Sequence, residues 1–272
     1  MSLLVRFRRD VTPHPVPRLL ALLCLALGLS LFTGAPANAA CPASFPVTVP
    51  ASDTARLIEV INCANAVPTN DVINLTNSTY MLTTSYISDD GFPPIATTAT
   101  GGTLVINGNG ATIARSSALG TPDFRLFYIN SGANLTLNRV TLTNGRSGDG
   151  GAILNHGVLT VSDSTLRNNN VVGSFSAGGA IDNFTGTLTL VRSTLSGNSA
   201  ADYGGAISNN NGTMRVINST VSGNAVTGGG VADGGGAFDI FNASTVLIVN
   251  STIANNTAVQ AARSGIWQEG GR

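Results

Sequence analysis

The chain contains no lysine, so any fixed cation available to a catalytic or binding site must be one of its 14 arginines. Two of these, Arg139 and Arg192, stand with Asp163 two residues before the recurring threonines Thr141, Thr194 and Thr165. If successive repeats stack as strands, the order Arg139, Asp163, Arg192 forms an outward column at about 4.8 Å per rung. A sugar acid could lie along it, since enzymes that cleave acidic polysaccharides use carboxylates, commonly for calcium, and a cationic base. The bland reading is a surface salt-bridge ladder worth under about 1 kcal/mol per pair. Asp202 and Asp233 each precede a Gly-Gly-Ala by two residues and, with Asp149, form a weak calcium candidate against the alternative of solvated turn aspartates. Asp182 and Asp239 follow Gly-Gly-Ala in non-adjacent repeats and make no carboxylate pair. His156, the one histidine after residue 40, sits in an Asn-His-Gly turn and reads as an exposed turn residue. No Gly-x-Ser-x-Gly, His-Glu-x-x-His or phosphate loop occurs. No catalytic residue and no resident cofactor are therefore assigned.

The elements that must position these residues are set by a repeat. Gly-Gly-Ala-Ile occurs at Gly150, Gly178 and Gly204, and Gly-Gly-Ala-Phe at Gly235, spaced by 28, 26 and 31 residues. Between them run Ser164-Thr165-Leu166, Ser193-Thr194-Leu195, Ser219-Thr220-Val221 and Ser251-Thr252-Ile253, each with an asparagine three residues beyond, at Asn169, Asn198, Asn224 and Asn256. Another asparagine set, Asn130, Asn155, Asn183, Asn209 and Asn242, falls ten or eleven residues before the repeat threonine. Short alternations such as Leu159-Thr160-Val161 and Leu188-Thr189-Leu190 are period-two strand signals. A unit of this size holds three short strands, and it buries its apolar face only when copies stack. The predicted fold is all-β, a right-handed single-stranded parallel β-helix, because parallel crossovers are overwhelmingly right-handed. Both asparagine sets are expected to form structural ladders, passing amide hydrogen bonds from coil to coil.

These marks resemble a known family. Gly-Gly-Ala-Ile followed by aliphatic-x-x-Asn is similar to the Gly-Gly-Ala-Ile and Phe-x-x-Asn repeats of chlamydial polymorphic outer-membrane proteins, with Leu166, Leu195, Val221 and Ile253 in place of phenylalanine. The segment from Arg56 to Ala66, with Asp71–Leu75 and Ser78–Leu82, resembles the Cys-Ser-Leu-Arg-Glu-Ala-type leader of large bacterial surface proteins. Here Leu57-Ile58-Glu59-Val60 replaces Leu-Arg-Glu-Ala. The resemblance implies a pectate-lyase-like solenoid with an N-terminal helix and a surface rather than an enzymatic role.

The segment reads the same way on its own. Asp53 can cap a helix starting at Thr54, with Leu57, Ile58, Ile61 and Ala64 on one face and Pro68 ending it. Such a helix would plug the open end of the stack, making residues 41–70 a capping segment and 71–272 the β-helix. Gly265 to Arg272 look like the opening of another coil, cut short. Residues 1–40 have the order of a secretory signal: Arg6, Arg8, Arg9 and Arg18, an apolar run from Leu19 to Phe32, then small residues to Ala40. The run is too short to span a bilayer, and no longer one follows. Cys41 and Cys63 remain after cleavage, expected as a disulfide worth roughly 3 kcal/mol, with a lipidated Cys41 as the alternative.

From Cys41 onward ten arginines stand against thirteen acidic residues, a net charge of −3. That balance excludes a nucleic-acid binder, which needs a basic surface to neutralise phosphates. The expectation is a non-catalytic exported protein of the cell surface or medium, serving adhesion or carbohydrate binding, with extracellular polysaccharide or a neighbouring cell surface as partner. The alternative is a polysaccharide lyase or glycoside hydrolase of the same fold acting on acidic polysaccharide. The small, nearly uncharged inserts Val171–Ala177 and Ala225–Gly234 favour the first.

Overall fold

The computed structural model describes residues 41–96, 102–173, 175–228, 234–259 and 264–268. The expected signal, residues 1–40, lies outside the described residues. The described residues form a right-handed parallel β-solenoid of about seven turns with one helix near its N-terminal end. Its strands fall into four sheets of eight, six, seven and five strands, and every named strand pair is parallel.

One coil shows how the repeat is used. It contributes Ile153–Asn155 to the six-stranded sheet, Val158–Ser162 to the eight-stranded sheet, Thr165–Arg167 to the seven-stranded sheet and Asn170–Val171 to the five-stranded sheet. The unit thus has four strands rather than the expected three. The fourth escaped notice because a two-residue strand has no measurable periodicity. Alternate side chains point inward, and equivalent positions stack into columns. Leu135, Leu159, Leu188 and Met214 are in register and fully buried, as are Leu142, Leu166, Leu195 and Val221.

The glycine pairs have two separate causes. Gly150, Gly178 and Gly204 adopt φ of 58°, 70° and 59°, left-handed values that favour glycine. The second glycine faces the next coil: a Cβ on Gly151 would stand 2.2 Å from the carbonyl oxygen of Gly179.

Asn169, Asn198, Asn224 and Asn256 form one buried ladder, each Nδ2 donating to the next Oδ1 at 2.9 Å. Each Oδ1 also accepts from the preceding backbone N–H at 3.0 Å. The second set forms a shorter ladder. Asn155, Asn183 and Asn209 are in register and their amides bond in series. Asn130 stands one place and Asn242 two places beyond that column, where Ile129 and Ile240 are the register partners. Their own coils carry an isoleucine in the ladder place, so a nearby asparagine gave a false alignment. Asn242 instead turns the chain at φ 54° and donates to Asn210 Oδ1 on the surface.

The N-terminal end is closed by the helix Thr54–Asn65, capped by Asp53, whose carboxylate accepts from Arg56 N–H at 2.9 Å. Leu57, Val60, Ile61 and Ala64 are buried against the first coils, with Ile58 packed at their margin. Cys63, on this helix, forms a disulfide with Cys41, tying the segment before the strand Val47–Val49 to the cap. Ile266–Gln268 pairs with Phe238–Phe241, so the predicted coil opening at Gly265 does begin a further rung. No described helix is long and apolar enough to cross a membrane.

Candidate functional site

The strand Ile181–Phe184 directs Ile181 and Asn183 into the core and Asp182 and Phe184 to the outer face, as the period of two requires. Parallel register then builds two outer columns on the six-stranded sheet. The first runs Leu154, Asp182, Ser208, Asp239. Asp182 and Asp239 lie two rungs apart with Ser208 between them, as their non-adjacent repeats demand. The second column runs Phe184, Asn210, Phe241, and His156 extends it on the side of the preceding coil.

The rings along this face form a row. His156 lies 5.4 Å from Tyr128 and 5.4 Å from Phe184 between ring centroids, and Tyr203 meets Phe241 edge-on at 5.0 Å. His156 is therefore half-buried in an aromatic row, not the exposed turn residue expected; burial, followed by the Arg125 charge, lowers its pKa. Between the rings a groove of about 320 Å³ is lined by Asp149, Asp182, Phe184, Tyr203, Ser208 and Phe241. Phe175, from the insert before Ala177, stands at its rim and is 78% exposed.

Asp182 lies at the floor of the groove and is only 5% exposed. Its Oδ1 is buried without a hydrogen-bond partner among the described residues. Burial pushes its pKa up to about 7; the Asp149 charge adds to the rise, while a hydrogen bond with Ser208 and the Arg125 charge oppose it. Asp149 is raised too, chiefly by burial. Asp239 is fully buried, and a Cβ on Gly234 would lie 1.7 Å from its Oδ2, so the backbone of that glycine closes over it.

Arg125, behind the groove, is committed. Its Nη1 donates to Asp90 Oδ1 at 2.7 Å, Nη2 donates to Asp89, and Nε donates to the Asp149 carbonyl at 3.1 Å. The Asp90 pKa is nonetheless raised, because burial outweighs the neighbouring guanidinium.

The predicted ligand column has a different character. Arg139, Asp163 and Arg192 occupy left-handed turns with φ of 51°, 50° and 46°. Arg192 grips Asp163 with two hydrogen bonds of 2.7 Å, whereas Arg139 donates to Asn109 Oδ1 at 2.8 Å. The Arg192 hydrogen bonds hold the Asp163 carboxyl below its ordinary range. Two of the three residues are thus brought together, as an exposed ion pair.

Of the calcium candidates, Asp202 accepts from Ser176 N–H at 3.3 Å and Asp233 lies outside the described residues. Asp149 is in register with Ala177 and Tyr203, one place away from Asp202. Among the described residues no three acidic, histidine or cysteine side chains are grouped to hold a metal.

The groove was missed because its signal was read only for charge. Asp182-Asn183-Phe184 and Asp239-Ile240-Phe241 share an outward acid and an outward ring two residues apart, a pattern visible once the strand phase is fixed. Compared with known proteins, the chain matches no family model, no curated protein and no solved structure.

Proposed function

We propose that this is a non-catalytic exported protein of the cell surface or medium whose solenoid binds carbohydrate along the six-stranded sheet. The observation that carries the reading is the row of rings at Tyr128, His156, Phe184 and Phe241 beside the polar floor of Asp149, Asp182 and Ser208. Sugar rings present C–H faces that pack on aromatic rings and hydroxyls that need directional partners, and a concave site offering both suits them. From His156 to Phe241 the outer column spans three rungs, or about 14 Å, the length of a short oligosaccharide. Export is supported by the signal-like residues 1–40 and by the disulfide between Cys41 and Cys63. Adhesion to a neighbouring surface would follow from glycan binding.

The alternative, a lyase or glycoside hydrolase acting on acidic polysaccharide, has weaker support. The Arg125 and Arg192 guanidiniums are engaged by carboxylates, and Asp239 is packed beneath Gly234. Affinity electrophoresis through gels containing soluble polysaccharides tests the binding reading, coupled to an assay for new reducing or unsaturated ends. The expected result is retardation by at least one polysaccharide, weakened about tenfold in Phe184→Ala, with the polymer left intact. Retardation unaffected by Phe184→Ala, or depolymerisation, would overturn it.

A further inference from the structure

Resting on the carbohydrate reading, we infer that the groove selects uncharged saccharides over uronic-acid chains, and that its acidic lining of Asp149 and Asp182, with no unpaired cation beside it among the described residues, makes the choice.

The charges that face Asp182 set the preference. Asp149 lines the same groove, Asp239 lies two rungs along the same column, and Asp202 accepts from the N–H of Ser176, which lies in sequence between the lining residues Phe175 and Ala177. Tyr203 and the half-buried His156 ring complete the titratable surroundings. Arg125 is the guanidinium whose charge reaches Asp149 and Asp182, and it is already paired with Asp89 and Asp90, its Nε donating to the Asp149 carbonyl. A uronate carboxylate entering the groove would meet carboxyl groups, and the one guanidinium among these neighbours is already paired with two carboxylates. A neutral sugar meets no such penalty.

The chemistry of the floor points the same way. A protonated carboxyl group offers one O–H donor and retains acceptor capacity, so it can engage adjacent sugar hydroxyls in both senses. Oδ1 is buried without a partner among the described residues, which favours the neutral form, and the same carboxyl is tied to Ser208. The small part of Asp182 that reaches the groove is what a ligand hydroxyl would meet. Ionisation removes the donor and adds charge to a groove that already holds Asp149. With a pKa of about 7 for Asp182, binding is expected to be strongest below neutrality and to fall as pH rises through that value.

The test is calorimetric titration of the full chain with neutral oligosaccharides, cello-, manno- and xylo-tetraose, and with tetragalacturonate, at pH 5.5 and 8.5. At least one neutral tetrasaccharide should bind at pH 5.5 and about tenfold more weakly at pH 8.5, with tetragalacturonate at least tenfold weaker than it at both. Asp182→Asn keeps the shape and supplies a permanent neutral donor and acceptor. It should bind the neutral sugar with near wild-type acidic affinity at both pH values. Equal binding of tetragalacturonate, or the same pH dependence in Asp182→Asn as in wild type, would overturn the inference while leaving the groove a carbohydrate site. Binding unaltered by Phe184→Ala, or no binding of any of these sugars, would instead remove the carbohydrate reading and the inference with it.

Discussion

Asp163 and Asp182 occupy successive coils of one solenoid, both on its outer surface, and their surroundings drive them in opposite directions. Asp163 sits in an exposed left-handed turn, where Arg192 holds its carboxyl below the ordinary range. Asp182 sits on a strand beneath an aromatic row, where burial lifts its carboxyl to about 7. Turn corner and strand recur at every coil, and what surrounds the outward side chain at each decides whether an aspartate becomes a solvated ion or a neutral acid. The column that looked richest in charge is the one in which charge is already satisfied. The groove that looked poor in charge holds the buried acid.

Removing that acid gives the largest expected effect on the comparison. Because the Asp182 pKa is raised from 3.8 to about 7 on folding, the neutral form is favoured in the folded chain. Its contribution is fully present below about pH 4 and is lost as pH rises to about 7, beyond which the loss levels off near 4 kcal/mol. Urea unfolding of Asp182→Asn should lack this component, so the variant should be about as stable as wild type at pH 4 and more stable by a few kcal/mol at pH 8.5. Parallel pH profiles for the two proteins would break the contrast.

The second contrast lies between the buried asparagine ladder and the exposed turns. Asn198 Oδ1 accepts from the Asn169 backbone N–H and Nδ2, and its Nδ2 donates to the Leu166 carbonyl and to Asn224 Oδ1. Asn198→Ala strips the buried Asn169 N–H of its side-chain acceptor and the Leu166 carbonyl of one donor, at a cost of about 3 kcal/mol read from urea unfolding midpoints. A loss well under about 1 kcal/mol would mean that water enters the coil in place of the amide.

Much of this architecture was legible in the sequence, for a physical reason. A solenoid coil contacts only its neighbours, so constraints recur at a fixed period: left-handed glycine at Gly150 and Gly178, close packing at Gly151, a ladder at Asn169 and Asn198. The helix cap at Asp53 and the Cys41–Cys63 disulfide were local enough to read directly. The second ladder was overextended to Asn130 and Asn242, because repeat alignment fixes register only to within a residue or two wherever turns differ in length. The groove was not legible as a site, since Asp182 gains its character from Asp149, Ser208 and the rings of Phe184, Tyr203 and Phe241. These come from three different columns and several coils, so the grouping emerges only when the strand register and the turns are both fixed.

The smallest effect is expected where the sequence first suggested chemistry. Side chains of Arg192 and Asp163 are 57% and 35% exposed, so water screens their attraction and solvates either partner left alone. Arg192→Ala should therefore leave the urea midpoint at pH 7 unchanged within error, even though two short hydrogen bonds disappear. The change should appear in the titration of Asp163 by NMR, with its carboxyl returning toward the ordinary range once the guanidinium that lowers it is gone. The sign is opposite to that at Asp182: a lowered carboxyl contributes stability above its unfolded pKa and loses it as pH falls, so any residual difference between wild type and variant should vanish in acid. A large midpoint shift at pH 7 would show that this turn column carries the fold, and the distinction between the two aspartates would then rest on their pKa values alone.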